Sequence, residues 1–265
     1  MNTLYINLPF QSSFSISTNC INIFNQIKLQ YSPYVSTTSQ VVDLSYTVLY
    51  CGEKYRLIAP DAEYLTDTPL QNIHSHLFES KKYSSNIIAL HGAALEYNRK
   101  AFLFLAPTTG GKTTLACFLS HRGLGYISDD CILINKDNLL VTPQILPMQL
   151  RESCLPVLKN HMICPQNFKE LSGHRLQRRY LFSPSNCIEQ ALPIEKIFFI
   201  NRSQYQNSIQ KLDCYQSIHY LMFAAMTNYA ISSDYINFLG KLSKKECYKL
   251  QYSSMEFVEE IIKQQ

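Results

Sequence analysis

The sequence predicts an α/β fold from about residue 87 onward, preceded by a smaller β-rich region. Three observations predict it. Ala101-Phe102-Leu103-Phe104-Leu105 is a continuous apolar run, the pattern of a strand covered on both faces. A glycine-containing loop follows it, then a helical segment from Lys112 to about Arg122 that Gly123 closes. Strand-like and helix-like segments then alternate to the end of the chain, as α/β architecture requires.

The elements can be taken in order. Residues 1–85 read as a small α+β region, β-rich with one helix. Val41 to Tyr50 is β-branched and aromatic, Cys51-Gly52-Glu53-Lys54 turns, and Tyr55 to Ile58 returns as a second strand. Pro69 to Phe78 is the expected helix, with Thr68 at its N-cap and proline at its first position. The second domain is expected over 86–265. Ile87 to Leu90 and Ala93 to Tyr97 are short strands, Asn98-Arg99-Lys100 a turn, and Tyr126-Ile127 leads into Ser128-Asp129-Asp130. Cys131 to Asn135 and Leu139 to Thr142 form a hairpin. Pro143 to Pro165 is proline-punctuated and reads as irregular. Ile194 to Ile200 is a strand, Tyr215 to about Tyr229 and Ser233 to Leu242 are helices, Tyr248 to Tyr252 is a strand, and Ser254 to Lys263 closes the chain as a helix.

Composition limits the function classes. With 46% hydrophobic and 17% charged residues, the 265-residue chain can bury a core without covalent staples. A net charge of +4 is too small to argue for nucleic acid, which needs a concentrated basic face. The tyrosines are scattered, without a stacking pattern for RNA. No apolar run approaches the roughly 20 residues of a membrane span, and the N-terminus lacks a secretory signal, so a cytoplasmic protein is expected. The nine cysteines form no C-x-x-C pair and sit mostly among apolar neighbours, which predicts buried free thiols.

Ala106-Pro107-Thr108-Thr109-Gly110-Gly111-Lys112-Thr113 lies between the apolar strand and the helix, and it differs from the P-loop pattern G-x-x-x-x-G-K-[ST] only at its first glycine. The residue types suit phosphate. Backbone N–H groups of Thr108, Thr109, Gly110 and Gly111 can converge on phosphate oxygens, and the helix start at Lys112, Thr113 and Thr114 adds unpaired N–H groups. Lys112 supplies a point charge, Thr113 a hydroxyl for Mg²⁺, and Gly111 the absence of a Cβ.

Asp129-Asp130 follows Lys112 by 17 residues, at the end of the next short strand. In an open α/β sheet, ligands bind at the carboxyl ends of strands, so both features are expected on one edge. Two adjacent carboxylates facing phosphates can divide the work, one holding Mg²⁺ and the other accepting a proton from a hydroxyl. His91-Gly92 precedes Lys112 by 21 residues and ends the strand before it. Arg175, Arg178 and Arg179 form a basic cluster that reads as a solvated loop or a contact for an acidic group.

Together, His91-Gly92, the loop at 106–113 and Ser128-Asp129-Asp130 resemble the kinase domain of bacterial HPr kinase/phosphorylase, over roughly residues 87–152. The resemblance implies a P-loop core of the HPr kinase / phosphoenolpyruvate carboxykinase type. It implies ATP and Mg²⁺ as cofactors. Lys112 and Thr113 would bind phosphate and metal, Asp129 would be the base on an acceptor serine, Asp130 a Mg²⁺ contact, and His91 a neighbour of the transferred phosphate. Arg151 falls where that family has a functional acidic–basic stretch. Thr109 and Thr114 depart from the family's loop, and residues 1–85 do not look like that enzyme's N-terminal domain. The layout is closer to shorter serine kinases of peptide natural-product pathways. The expected partner is therefore a serine-bearing peptide or protein, and homo-oligomers are common among such relatives. Two other readings stand beside it: a small-molecule kinase or carboxykinase-like enzyme, and a non-catalytic nucleotide-binding module that recognises a partner.

Overall fold

A computed structural model of the chain describes residues 1–9, 12–79, 86–163, 168–171, 178–225 and 233–264. It is a mixed α/β protein, its described residues form three sheets, and it divides into two compact units. The first unit comprises residues 1–85, 146–159 and 164–183, and the second comprises 86–145, 160–163 and 184–265.

In the first unit, β1 (Asn2–Ile6), β2 (Phe14–Thr18), α1 (Ile21–Gln30), β3 (Val35–Ser36), β4 (Leu44–Cys51), β5 (Lys54–Ile58), β6 (Glu63–Thr66) and α2 (Pro69–Glu79) follow one another. The six strands pair in the order β3-β1-β2-β4-β5-β6. β2 and β4 are parallel, so the chain must cross between them, and α1 lies within that crossover. Here the single helix expected before residue 86 is corrected to two. Ile21-Asn22-Ile23-Phe24-Asn25 has poor helix propensity, and Cys20 at the N-cap gives no side-chain bond. Burial of Ile23 and Ile27, one turn apart, against the sheet overrides that local preference.

The second unit begins with β7 (Ile87–Leu90), β8 (Gly92–Tyr97), β9 (Lys100–Leu105), α3 (Lys112–His121), β10 (Gly125–Ser128), β11 (Ile132–Asn135) and β12 (Leu140–Thr142). The stretch that reads as irregular in sequence returns to the first unit, holding β13 (Met148–Arg151) and, up to Lys159, α4 (Leu155–Asn160). With β14 (Lys169–Leu171) and β15 (Arg179–Phe182), β13 makes a separate three-stranded sheet. The remaining elements are β16 (Leu192–Arg202), β17 (Ser208–Lys211), α5 (Cys214–Ala224), α6 (Ser233–Leu242), β18 (Glu246–Tyr252) and α7 (Met255–Lys263). Ser254 caps α7 by accepting from the Phe257 N–H, and Asp213 and Gln216 form a capping box on α5.

Strand direction in this unit positions the site. β8 is antiparallel to β9 and β10 is antiparallel to β8, so β9 and β10 run the same way. β16 is parallel to β9, and β18 to β16. The carboxyl ends of β10, β9, β16 and β18 therefore share one edge, and β8 starts there. The strands are tied by apolar contact: β9 is buried from Ala101 to Leu105, and Phe104 stacks on Phe198 with ring centres 5.6 Å apart. Among the described residues no helix is long and apolar enough to cross a membrane, and every described cysteine is a free thiol. Cys51 and Cys214 are exposed, which departs from the expectation of burial.

Candidate functional site

Strand register brings the three sequence features together. Gly92, the first residue of β8, pairs with Leu105, the last of β9, so His91 is set beside Ala106. Leu90, the last residue of β7, pairs with Ile132, the first of β11, so His91 is also set beside Cys131 and Asp130. His91 is the corner between two strands, and its N–H donates to the Ala224 carbonyl at 2.6 Å. Gly92 is required for this convergence. A Cβ there would sit 2.5 Å from Leu105 Cδ2, 2.7 Å from Ile132 Cδ1 and 2.9 Å from the Phe104 carbonyl oxygen.

The loop from Ala106 to Gly111 leaves β9 and enters α3. Gly110 N–H donates to Pro107 O at 3.0 Å, closing a turn whose third residue, Thr109, has φ of +70°. Glycine is the usual occupant of such a position. Ala106, in place of the pattern's first glycine, is free of that strain, because it is not among the positive-φ residues. Its methyl has a different consequence: a Cβ on Gly110 would lie 2.6 Å from Ala106 Cβ. Gly111, at φ of +87°, is the N-cap of α3, and the first helical bond runs from Leu115 N–H to Gly111 O. The N–H groups just ahead of it have no partner within the helix, and they form an anion-binding end.

Lys112 is buried, and its Nζ donates to Ala106 O at 2.9 Å, Pro107 O at 3.2 Å and His91 Nε2 at 3.0 Å. His91 Nδ1 lies 3.1 Å from Asp130 O. A carbonyl only accepts and an ammonium only donates, so these two contacts fix the tautomer: Nδ1 carries the proton and Nε2 the lone pair. Burial first, and then the Lys112 charge, hold the imidazole pKa below its ordinary value, against an opposing pull from Asp130. Burial also lowers the pKa of Lys112, with Asp130 and Asp129 opposing.

Thr113 Oγ1 donates to Asp129 Oδ1 at 3.3 Å. Asp129 Oδ2 is shut from solvent and has no hydrogen-bond partner among the described residues. Burial, reinforced by the Asp130 charge, raises the Asp129 pKa well above the usual carboxylate range. Asp130 turns the chain with φ of +64° and uses its carbonyl to orient His91. In its ionised form, a carboxylate whose proton affinity is raised in this way, beside a hydroxyl, a buried ammonium and a helix N-terminus, can take a proton from a group brought near an anion.

His91, Lys112, Thr113, Asp129 and Asp130 thus converge. Thr108 and Thr109 are exposed at the loop tip, Gly110 and Gly111 shape the loop, and Thr114 is buried. Arg151 and Arg179 are cross-strand partners in the three-stranded sheet of the first unit, Arg178 lies 3.8 Å from Glu170, and Arg175 is outside the described residues. The sequence reading missed Tyr252, at the end of β18, whose hydroxyl packs 3.1 Å from the place a Gly111 Cβ would occupy. Only strand pairing could have shown this, since Tyr252 lies far along the chain from the loop.

The fold and site define a mixed α/β protein with a strand–loop–helix site on one sheet edge. No family model and no curated protein matches the sequence. Among solved structures, the Hpr(Ser) kinase/phosphatase from Coxiella burnetii is similar, with 12% identity over 66% of this chain and 94% of that one and a TM-score of 0.35.

Proposed function

We propose that the protein is an ATP-dependent kinase that phosphorylates a serine hydroxyl of a peptide or protein. The observation that carries this reading is the convergence of Lys112, Thr113 and Asp129 at the start of α3, with the Asp129 proton affinity raised by burial. Lys112 and Thr113 are neighbours at the start of α3, and strand pairing brings Asp129, 16 residues beyond Thr113, to them.

In this reading the phosphates lie on the N–H groups at the start of α3, and Lys112 leaves the Ala106 and Pro107 carbonyls to meet them. His91, held by the Asp130 carbonyl, faces the same charge. Asp129 orients the acceptor hydroxyl and takes its proton on Oδ2, while Oδ1 steadies Thr113. The donor set fits Mg²⁺ brought in by a nucleotide. The described residues contain no cluster of three protein ligands, and a nucleotide-borne Mg²⁺ needs only one or two carboxylates or a hydroxyl beside the phosphates. The Thr113 hydroxyl and the Asp130 carboxylate would hold it, and it would neutralise developing phosphate charge.

The test is incubation of the purified protein with Mg²⁺ and γ-labelled ATP, together with the peptides encoded beside its gene. Label on a serine, mapped by mass spectrometry, is the expected result. ATP binding with no transfer to any peptide would replace the kinase by a nucleotide-binding recognition module, and transfer to a metabolite by a small-molecule kinase.

A further inference from the structure

The order of strands along the site edge is β10, β8, β9, β16, β18. Asp129 follows β10, His91 precedes β8, and the loop follows β9. The catalytic groups therefore all lie on one side of Lys112 or at it. On the other side, Arg202 ends β16 and Tyr252 ends β18, about 5 and 10 Å from β9 at ordinary strand spacing. Arg202 and Tyr252 are register partners in the parallel pair, so their side chains share a face. The Tyr252 hydroxyl identifies that face as the one carrying the start of α3, because it packs against Gly111.

Both side chains have unused capacity. Tyr252 is 2% exposed, yet among the described residues its hydroxyl makes no hydrogen bond. Burial pushes its pKa to about 12, with Arg202 pulling the other way, so the phenol keeps its proton and remains a donor at neutral pH. Arg202 is exposed and, among the described residues, forms no ion pair with a carboxylate. A buried phenol donor and an unpaired guanidinium, adjacent to an anion-binding helix end, form a recognition pair for the group that a bound phosphate carries.

We propose that Arg202 and Tyr252 bind the nucleoside end of the nucleotide. Tyr252 donates to a ribose oxygen, and Arg202 lies across the base. This rests on the nucleotide reading of the 106–113 loop. If the acceptor hydroxyl approaches beside Asp129, the terminal phosphate points toward β10, and the nucleoside must extend the opposite way, over β16 and β18. These two residues then set affinity for a nucleotide over a bare polyphosphate.

The experiment compares ATP with inorganic triphosphate by calorimetry, for wild type, Arg202→Ala, Tyr252→Phe and Lys112→Ala. Wild type is expected to bind ATP more tightly than triphosphate. Arg202→Ala and Tyr252→Phe are each expected to weaken ATP about tenfold, the scale of one lost hydrogen bond or stacking contact, and to leave triphosphate nearly unchanged. Arg202 is on the surface and its truncation leaves the core intact; thermal melting without ligand checks the Tyr252 variant. Unchanged ATP affinity in both variants, with Lys112→Ala still impaired, overturns the nucleoside assignment and keeps the nucleotide site. Equal weakening of ATP and triphosphate also overturns it, by making the pair a general phosphate contact. No binding of either ligand by wild type overturns both readings.

Discussion

Lys112 and His91, 21 residues apart in sequence, meet with Nζ 3.0 Å from Nε2, and it is the histidine that accepts. The contact holds a buried cation against a neutral imidazole and two loop carbonyls. Replacement of Lys112 by alanine is expected to weaken ATP binding by about 100-fold, the loss of a charge-assisted contact in a dry site. Lys112→Arg should restore little of it, because the ammonium already fits three acceptors that a planar guanidinium cannot match. Titration calorimetry on the two variants measures both effects.

The neutral state of His91 gives a pH signature. Its folded pKa lies below the ordinary value, so its stabilising contribution is full above pH about 6.5 and declines as pH falls below that toward the folded pKa. Histidine-free His91→Asn, which retains an acceptor for Lys112, should lack this decline. Thermal melts between pH 5 and 8, without ligand, are expected to show a steeper acid loss in wild type. Parallel curves would remove His91 as the source.

Asp129 carries the opposite shift. Burial and Asp130 disfavour its ionised form, so the penalty is absent below the ordinary carboxylate pKa of about 3.9 and complete only above the raised folded value. Asp129→Asn is therefore expected to stabilise the ligand-free protein at pH 8 by about 1–2 kcal/mol, raising its melting temperature by a few degrees. The same variant should bind ATP and lose serine phosphorylation. A variant that is more stable and still fully active would take the proton-accepting role away from Asp129.

Ala106 and Gly110 are coupled by volume. Gly110→Ala places a Cβ 2.6 Å from Ala106 Cβ and 2.9 Å from Pro107 O, and should destabilise by about 1–3 kcal/mol. Adding Ala106→Gly relieves the first clash and leaves the second. The double variant should recover part of the loss, giving a coupling of about 1 kcal/mol in denaturant unfolding. Additive effects would show that the loop adjusts elsewhere.

Thr109 holds φ of +70° with a β-branched side chain at the loop tip. Thr109→Gly is expected to stabilise by about 0.5–1 kcal/mol, the relief of left-handed strain reduced by glycine's greater freedom in the unfolded chain. Chemical denaturation of wild type and variant reads the difference directly.

The strong local signals in the sequence were sufficient for much of the second unit. The apolar run of β9, the stop at Gly123 and the span of α6 follow from pattern, because in each the local preference and the tertiary demand coincide. Where they diverge, the sequence misleads. α1 is assembled from asparagine and β-branched residues and exists because its buried face has a sheet to meet. β13 and α4 lie between prolines that suggest only irregular chain.

The site divides in the same way. By itself the sequence determined that a glycine loop with Lys112 and Thr113 stands between a buried strand and a helix, since those residue types and their order are local facts. It also determined that a histidine-glycine pair and two aspartates lie near strand ends. Only the tertiary structure decided that Asp129, rather than Asp130, bonds Thr113, that His91 accepts from Lys112, and that Tyr252 reaches Gly111. Each of these depends on which strands pair and in what register, and a shift of one residue turns a side chain to the opposite face of a sheet. That information is held in contacts between segments far apart in the chain, where no local pattern records it.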